Sequence, residues 1–170
     1  ENEMCAAMLR QGGLGVIHRY NTIQEQCDIS AKVYEEFDRE GSDLKGKVAA
    51  AIGVAGDYLD RAKALHTAGV KIFCVDVAHG HHVLMKNALS ELRSFFGDTV
   101  HIMAGNVATL EAFNDLSDWG ADSVRVGIGG GSICSTRIMT GHGVPTLQSV
   151  LDCSASDRPA LLVADGGIKT

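Results

Sequence analysis

Two prolines in 170 residues leave no proline-rich stretch that would divide the chain into modules joined by a linker. Aromatic residues make up only 5%. Trp119 and the Phe95-Phe96 pair fall at the ends of predicted helices, where packing explains them better than a base-stacking platform does. Lysine and arginine form no block and the net charge is −6, so neither a nucleic-acid nor a membrane partner is expected. No apolar run reaches the length of a membrane span, and no secretory leader is visible. The five cysteines (Cys5, Cys27, Cys74, Cys134 and Cys153) are odd in number and widely spaced, with no C-x-x-C pair. That pattern speaks against zinc and against a redox dithiol, and points to a reducing, cytoplasmic setting. Cys74 sits in an apolar run and reads as core filler, while Cys5, Cys27 and Cys153 read as helix residues without special chemistry. Residue 1 is not methionine and the sequence stops just after Asp165-Gly166-Gly167, so a piece of a longer protein is expected.

What is abundant is apolar residue and glycine: 45% hydrophobic and 20 glycines. That is enough for one domain with a real core. Helical and strand patterns alternate from end to end. A helix over residues 4–9 precedes a strand at 14–18. Thr22 with Glu25 three places on forms a capping box for a helix running to about Phe37. After a connection at 41–47 come a strand at 48–53 and a helix at 57–67. A strand at 70–76 and a helix at 83–95 follow, then a strand at 100–104 with Gly105-Asn106-Val107 as its loop. A helix at 109–119, a strand at 123–126, a helix at 146–152 and a strand at 160–164 complete the series. Repeated strand, loop and helix imply parallel strands with helical crossovers. A doubly wound sheet and a (β/α)8 TIM barrel both satisfy that pattern. Functional-looking residues follow strand after strand, which favours the barrel, whose site collects all its C-terminal strand ends. About six of the eight βα units would be present, as a single partial catalytic domain over 1–170.

The chain is organised around the stretch Val124-Arg125-Val126-Gly127-Ile128-Gly129-Gly130-Gly131-Ser132-Ile133-Cys134-Ser135-Thr136-Arg137, a short β-branched run that breaks into a glycine-dense loop. Glycines let the backbone take positive φ and approach a bound group, and inward amides with the Ser132 hydroxyl would cradle a phosphate. Cys134 would stand beside it in an electropositive pocket near Arg137, the environment that favours thiolate. Gly166-Gly167 after Asp165 offers a second half to the cradle. Asp76 at a strand end suits a ribose hydroxyl. Three histidines (His79, His81, His82) crowd beside it, but neighbours on one flexible loop rarely converge on a metal. His18 and His101 read as structural, His66 and His142 as surface or loop positions. For Asn106 and Asp165 a local Asx turn competes with a ligand role.

These motifs, with Asp76-Val77-Ala78-His79-Gly80-His81, Ala104-Gly105-Asn106-Val107 and Asp165-Gly166-Gly167, resemble the IMP dehydrogenase and GMP reductase family in the right order along nearly the whole chain. The resemblance implies an incomplete (β/α)8 barrel carrying its second to seventh strands. It further implies that Cys134 adds to C2 of the purine with help from Thr136, that Ser132, Gly166 and Gly167 hold the 5′-phosphate, and that Asp165 holds the ribose hydroxyls. Asp76, Ala78, Asn106 and Gly127 would face a nicotinamide cofactor, NADPH or alternatively NAD. Carbonyls of Gly129, Gly131 and Cys134 would take a monovalent cation, K+. Substrates would be GMP or IMP, and the full-length protein a homotetramer.

Only about ten residues, 40–48, stand where dehydrogenases of the family usually carry a pair of CBS motifs. Together with the segment Thr140-Gly141-His142-Gly143-Val144-Pro145-Thr146-Leu147, that favours a GMP reductase. An IMP dehydrogenase without the insert is the alternative, and a non-catalytic nucleotide-binding barrel a second one, which retention of Cys134 with Thr136 disfavours. Gly130 and Ser135 depart from the family's commonest residues at those places. The first strand, the last strand and the reductase's acidic proton donor fall outside these residues, so the 170-residue chain alone is expected to be inactive.

Overall fold

The computed structural model describes residues 1–40, 47–131 and 134–168. The connection expected at 41–47 therefore lies almost wholly outside the described residues, as does Ser132. The elements run α1 (Asn2–Arg10), β1 (Gly15–Ile17), α2 (Ile23–Glu40), β2 (Val48–Ile52), α3 (Tyr58–Thr67), β3 (Ile72–Asp76), α4 (Val83–Phe96), β4 (His101–Val107), α5 (Leu110–Asp118), β5 (Ser123–Val126), α6 (Thr136–Thr140), α7 (Thr146–Cys153) and β6 (Leu161–Ala164). The capping box forms as the sequence predicts: Thr22 N–H donates to Glu25 Oε2 at 2.8 Å, and Glu25 N–H returns to Thr22 Oγ1 at 3.2 Å.

All six strands are parallel and stand in chain order, β1-β2-β3-β4-β5-β6. A doubly wound sheet reverses direction at a switch point, and this order never does. The architecture is an incomplete (β/α)8 barrel. Side chains alternate along each strand. Ala50, Ile52, Phe73, Val75, Ile102, Ala104, Val124 and Val126 face the helices and join Leu65, Met85, Leu89, Leu92, Phe113 and Leu116 in the main core. Each large apolar side chain buried there contributes about 1.5–3 kcal/mol. The alternate residues Ala51, Cys74 and Met103, with Leu14 and Val163, form a small inner cluster that fills the barrel's hollow side.

Two expectations need correction. Gly105-Asn106-Val107 is not a loop but the end of β4, because its backbone is paired on both sides. Asn106 N–H donates to Val77 O at 3.0 Å, Val77 N–H to Gly105 O at 3.1 Å, and Gly127 N–H to Val107 O at 2.8 Å. The Gly105–Asn106 peptide bond is cis. The segment after Cys134 contains a short helix, α6, that the sequence did not announce.

Candidate active site

The strand ends deliver the site. Register places Asp76 opposite Gly105, and Gly105 opposite Arg125, so these three positions form a row across β3, β4 and β5. Gly105 contributes no side chain to that row. A Cβ there would lie 2.7 Å from Arg125 Cβ, closer than side chains ever pack. Over this gap Arg125 Nη1 donates to Asp76 Oδ1 at 3.0 Å and to Cys74 Sγ at 3.1 Å, while Nη2 donates to Asp165 Oδ2 at 3.0 Å. One guanidinium thus joins the ends of β3 and β6, the planar two-pronged recognition for which arginine is suited. Cys74 is therefore more than filler. Burial pushes its thiol up, with Arg125 acting in the opposite direction, and it meets the guanidinium as a neutral group.

Asn106 adds a second tie. Its Nδ2 donates to Gly127 O at 2.8 Å and to Asp165 Oδ2, and its Oδ1 is buried with no partner among the described residues. Neither Asn106 nor Asp165 spends its side chain on a local turn; both reach across strands. A buried acceptor left open at a cavity wall is a place for a ligand donor.

The loop after β5 meets the loop after β6 at closest approach. Gly127 has φ +145°, and a Cβ on it would stand 2.8 Å from Asp165 O. On Gly167, at φ +72°, a Cβ would stand 2.3 Å from Gly130 O. Only glycine permits either contact. The two glycine segments therefore lie in backbone contact with each other. Val144 N–H ties the first loop from outside by donating to Ile128 O at 3.1 Å.

Cys134 is half-buried, with Sγ 3.2 Å from Thr136 Oγ1. The Thr136 hydroxyl and then its amide hold the thiol below the usual range; burial acts in the opposite direction, and the Gly129 amide and the Arg137 charge add to the lowering. Hydroxyl and amides directed at sulfur stabilise thiolate, the nucleophilic form. A cavity of about 310 Å3 opens in front of it, the size of a small-molecule site. Asp76, Ala78, Asn106, Gly127, Gly129, Gly131, Cys134, Thr136, Asp165 and Gly166 all line it, and Gly167 stands behind Gly130.

Three lining residues were given no role from the sequence: Arg19 and Tyr20, after β1, and Arg125. Arg125 left a readable trace, a charge in a β-branched run directly before the glycine loop, two residues from its inward neighbour Ser123. Arg19 left none. The histidines go elsewhere. His81 Nε2 pairs with Asp115 Oδ2 at 2.9 Å, His82 Nδ1 caps α4 by accepting from Leu84 N–H at 3.1 Å, and His79 lines a separate apolar hollow with Val54 and Leu84.

A family model described as "IMP dehydrogenase / GMP reductase domain" matches residues 1–170. The chain is 42% identical over 142 residues to an inosine-5′-monophosphate dehydrogenase of Nitrosopumilus maritimus (strain SCM1), covering 79% of this chain and 29% of that protein. It is 47% identical over 133 residues to a GMP reductase of Leishmania major, covering 75% of this chain and 27% of that one. The crystal structure of inosine 5′ monophosphate dehydrogenase from Legionella pneumophila superimposes with a TM-score of 0.84 at 44% identity, over 100% of this chain and 48% of the other. The chain thus spans less than a third of those two curated relatives and about half of that crystallised chain. By the match along its entire length, the chain belongs to the IMP dehydrogenase / GMP reductase family.

Proposed function

We propose that this chain is part of a purine nucleotide oxidoreductase, acting on GMP or IMP through a covalent adduct between Cys134 and purine C2. The observation that carries the reading is the placement of Cys134: a sulfur held by the Thr136 hydroxyl and amide and by the Gly129 amide, on the wall of a cavity that Asp76, Arg125 and Asp165 also line. Asp165 takes the nucleotide ribose, and the paired glycine segments with Ser132 take its phosphate, leaving C2 in front of the sulfur. Asp76 and the open Asn106 Oδ1 suit the sugar and amide groups of a nicotinamide cofactor, with Ala78 and Gly127 beside them. When bound, that cofactor exchanges a hydride with C2. Carbonyl oxygens of Gly129, Gly131 and Cys134 form the donor set a monovalent cation prefers, and Gly131 O already closes the turn by accepting from Cys134 N–H at 3.1 Å.

The preferred direction is GMP reductase. The Cys134 thiolate attacks C2, the C2 amino group takes up a proton, and the C2–N bond breaks to release ammonia. A bound NADPH would supply the hydride that replaces sulfur at C2, which would return IMP, NADP+ and the Cys134 thiolate. The short connection at 40–48 supports this choice. The relatives' names support the other direction, since most of those matched are inosine-5′-monophosphate dehydrogenases, and there Cys134 would capture IMP for oxidation by NAD to XMP. Each substrate pair is offered to the full-length protein. Loss of nicotinamide absorbance with GMP and NADPH establishes the first, a gain with IMP and NAD the second, and neither refutes both.

A further inference from the structure

Resting on the functional reading above, we infer that Arg125 is a positioning residue that couples binding of the purine nucleotide to binding of the nicotinamide dinucleotide. Among the described residues it is the one side chain that donates hydrogen bonds to both Asp76 and Asp165, the carboxylates assigned to the two ligands. It engages Oδ1 of Asp76 and Oδ2 of Asp165, leaving the other oxygen of each for a ligand hydroxyl. Both carboxylates are partly open, with side-chain exposures of 34% and 40%, whereas Arg125 is at 22%. Each carboxylate keeps an open oxygen for a ligand to order, Asp165 even though Asn106 Nδ2 also donates to its Oδ2, while the arginine between them rests on Cys74 from below and faces Gly105 from the side.

A guanidinium is rigid and planar, so its two terminal nitrogens move together. A ribose that fixes Asp165 fixes Nη2, hence Nη1, and hence Asp76. The second ligand then meets a carboxylate already in place, and the ordering it would otherwise impose is avoided. That is positive coupling without a change of fold, and it is reciprocal. Lysine does not reproduce it, because an ammonium on a flexible stem is a point charge without the fixed fork that serves both carboxylates at once.

The test uses the full-length protein carrying Cys134→Ala, so that no chemistry intervenes. Calorimetric titration measures the affinity of GMP with and without saturating NADPH, and of NADPH with and without GMP, then repeats both with IMP and NAD. With Arg125 intact, each ligand of the productive pair tightens the other by one common factor, at least about fivefold. In Arg125→Lys and Arg125→Gln the factor falls toward one, while single-ligand affinities stay within about tenfold of the parent. Gly105→Ala keeps the charge but presses on Arg125 from β4, and loses the coupling as well. A merely structural arginine would weaken each ligand alone and leave the factor untouched. A factor that persists in Arg125→Lys, or an intact protein that binds both ligands independently, overturns the inference and leaves the functional reading standing. An intact protein that binds none of these nucleotides overturns the functional reading itself.

Discussion

Cys134→Ala removes the only atom asked to bond with substrate. Turnover should vanish while nucleotide affinity stays within about tenfold, or about 1.4 kcal/mol; loss of binding would make the cysteine structural instead. Thr136 acts on the same sulfur through its hydroxyl and amide. Because those contacts favour the charged form, thiolate appears at lower pH than for an ordinary cysteine, and alkylation of Cys134 should rise through a midpoint below that of an unperturbed thiol. Thr136→Val keeps shape and amide but loses the hydroxyl, so the midpoint should move up. Rates of iodoacetamide labelling across pH, resolved by peptide mass, check both. At this scale a rare residue pattern pointed to Cys134, which lines the cavity, whereas for Asp165 spacing left a local turn and a ligand role equally open, and its carboxylate reaches Arg125 across the sheet. The sequence was least legible where a common residue acts by position: Arg125 matters because β4 offers a glycine beside it, a relation between strands that no local window contains.

Elements were readable where their signals are local. The Thr22–Glu25 box set the start of α2 from four letters, and the structure makes both of its hydrogen bonds. Thr22→Ala should cost about 1 kcal/mol in denaturant unfolding. The Glu25 carboxyl is held below its usual range by the Thr22 amide and then the Thr22 hydroxyl. A lowered carboxylate contributes stability above its unfolded pKa and loses it as pH falls through the folded one. The stability gap between the parent and Glu25→Gln should therefore close on acidification, and a gap that widened would contradict the assignment. The end of β4 was misread because glycine and asparagine usually punctuate chains, and here their backbone groups are claimed by Val77 and Gly127. His82 as the cap of α4 was equally invisible, since imidazole is not among the side chains that favour that position. Gly15 in β1 carries a packing constraint: a Cβ there would meet Cys5 Sγ at 2.3 Å and Cys5 Cα at 2.9 Å. Gly15→Ala should cost about 1–3 kcal/mol by forcing α1 off the strand, and Cys5→Ala should rescue it only in part, because the backbone contact remains.

At the scale of the molecule, strand count and chain order could be anticipated from the alternation of periods, and the choice of barrel over doubly wound sheet from the spread of polar residues over successive strand ends. The curvature that brings Asp76 and Asp165 within one arginine's span could not, because it is a property of the assembled sheet. Within the described residues β1 and β6 each pair on one side only, and Val16 and Leu161 are exposed there. Unpaired strand edges template association. The 170 residues purified alone should therefore self-associate in light scattering and show no turnover, and a monodisperse active monomer would refute that. The central claim is that Cys134 faces purine C2 from a cradle that grips the nucleotide. The most direct measurement is peptide mass spectrometry of the full-length protein after exposure to a purine nucleotide bearing a leaving group on the ring, with and without its 5′-phosphate. The account predicts one adduct, on Cys134, formed far faster with the phosphorylated compound and suppressed by GMP or IMP. An unlabelled Cys134, or labelling indifferent to the phosphate, would contradict it.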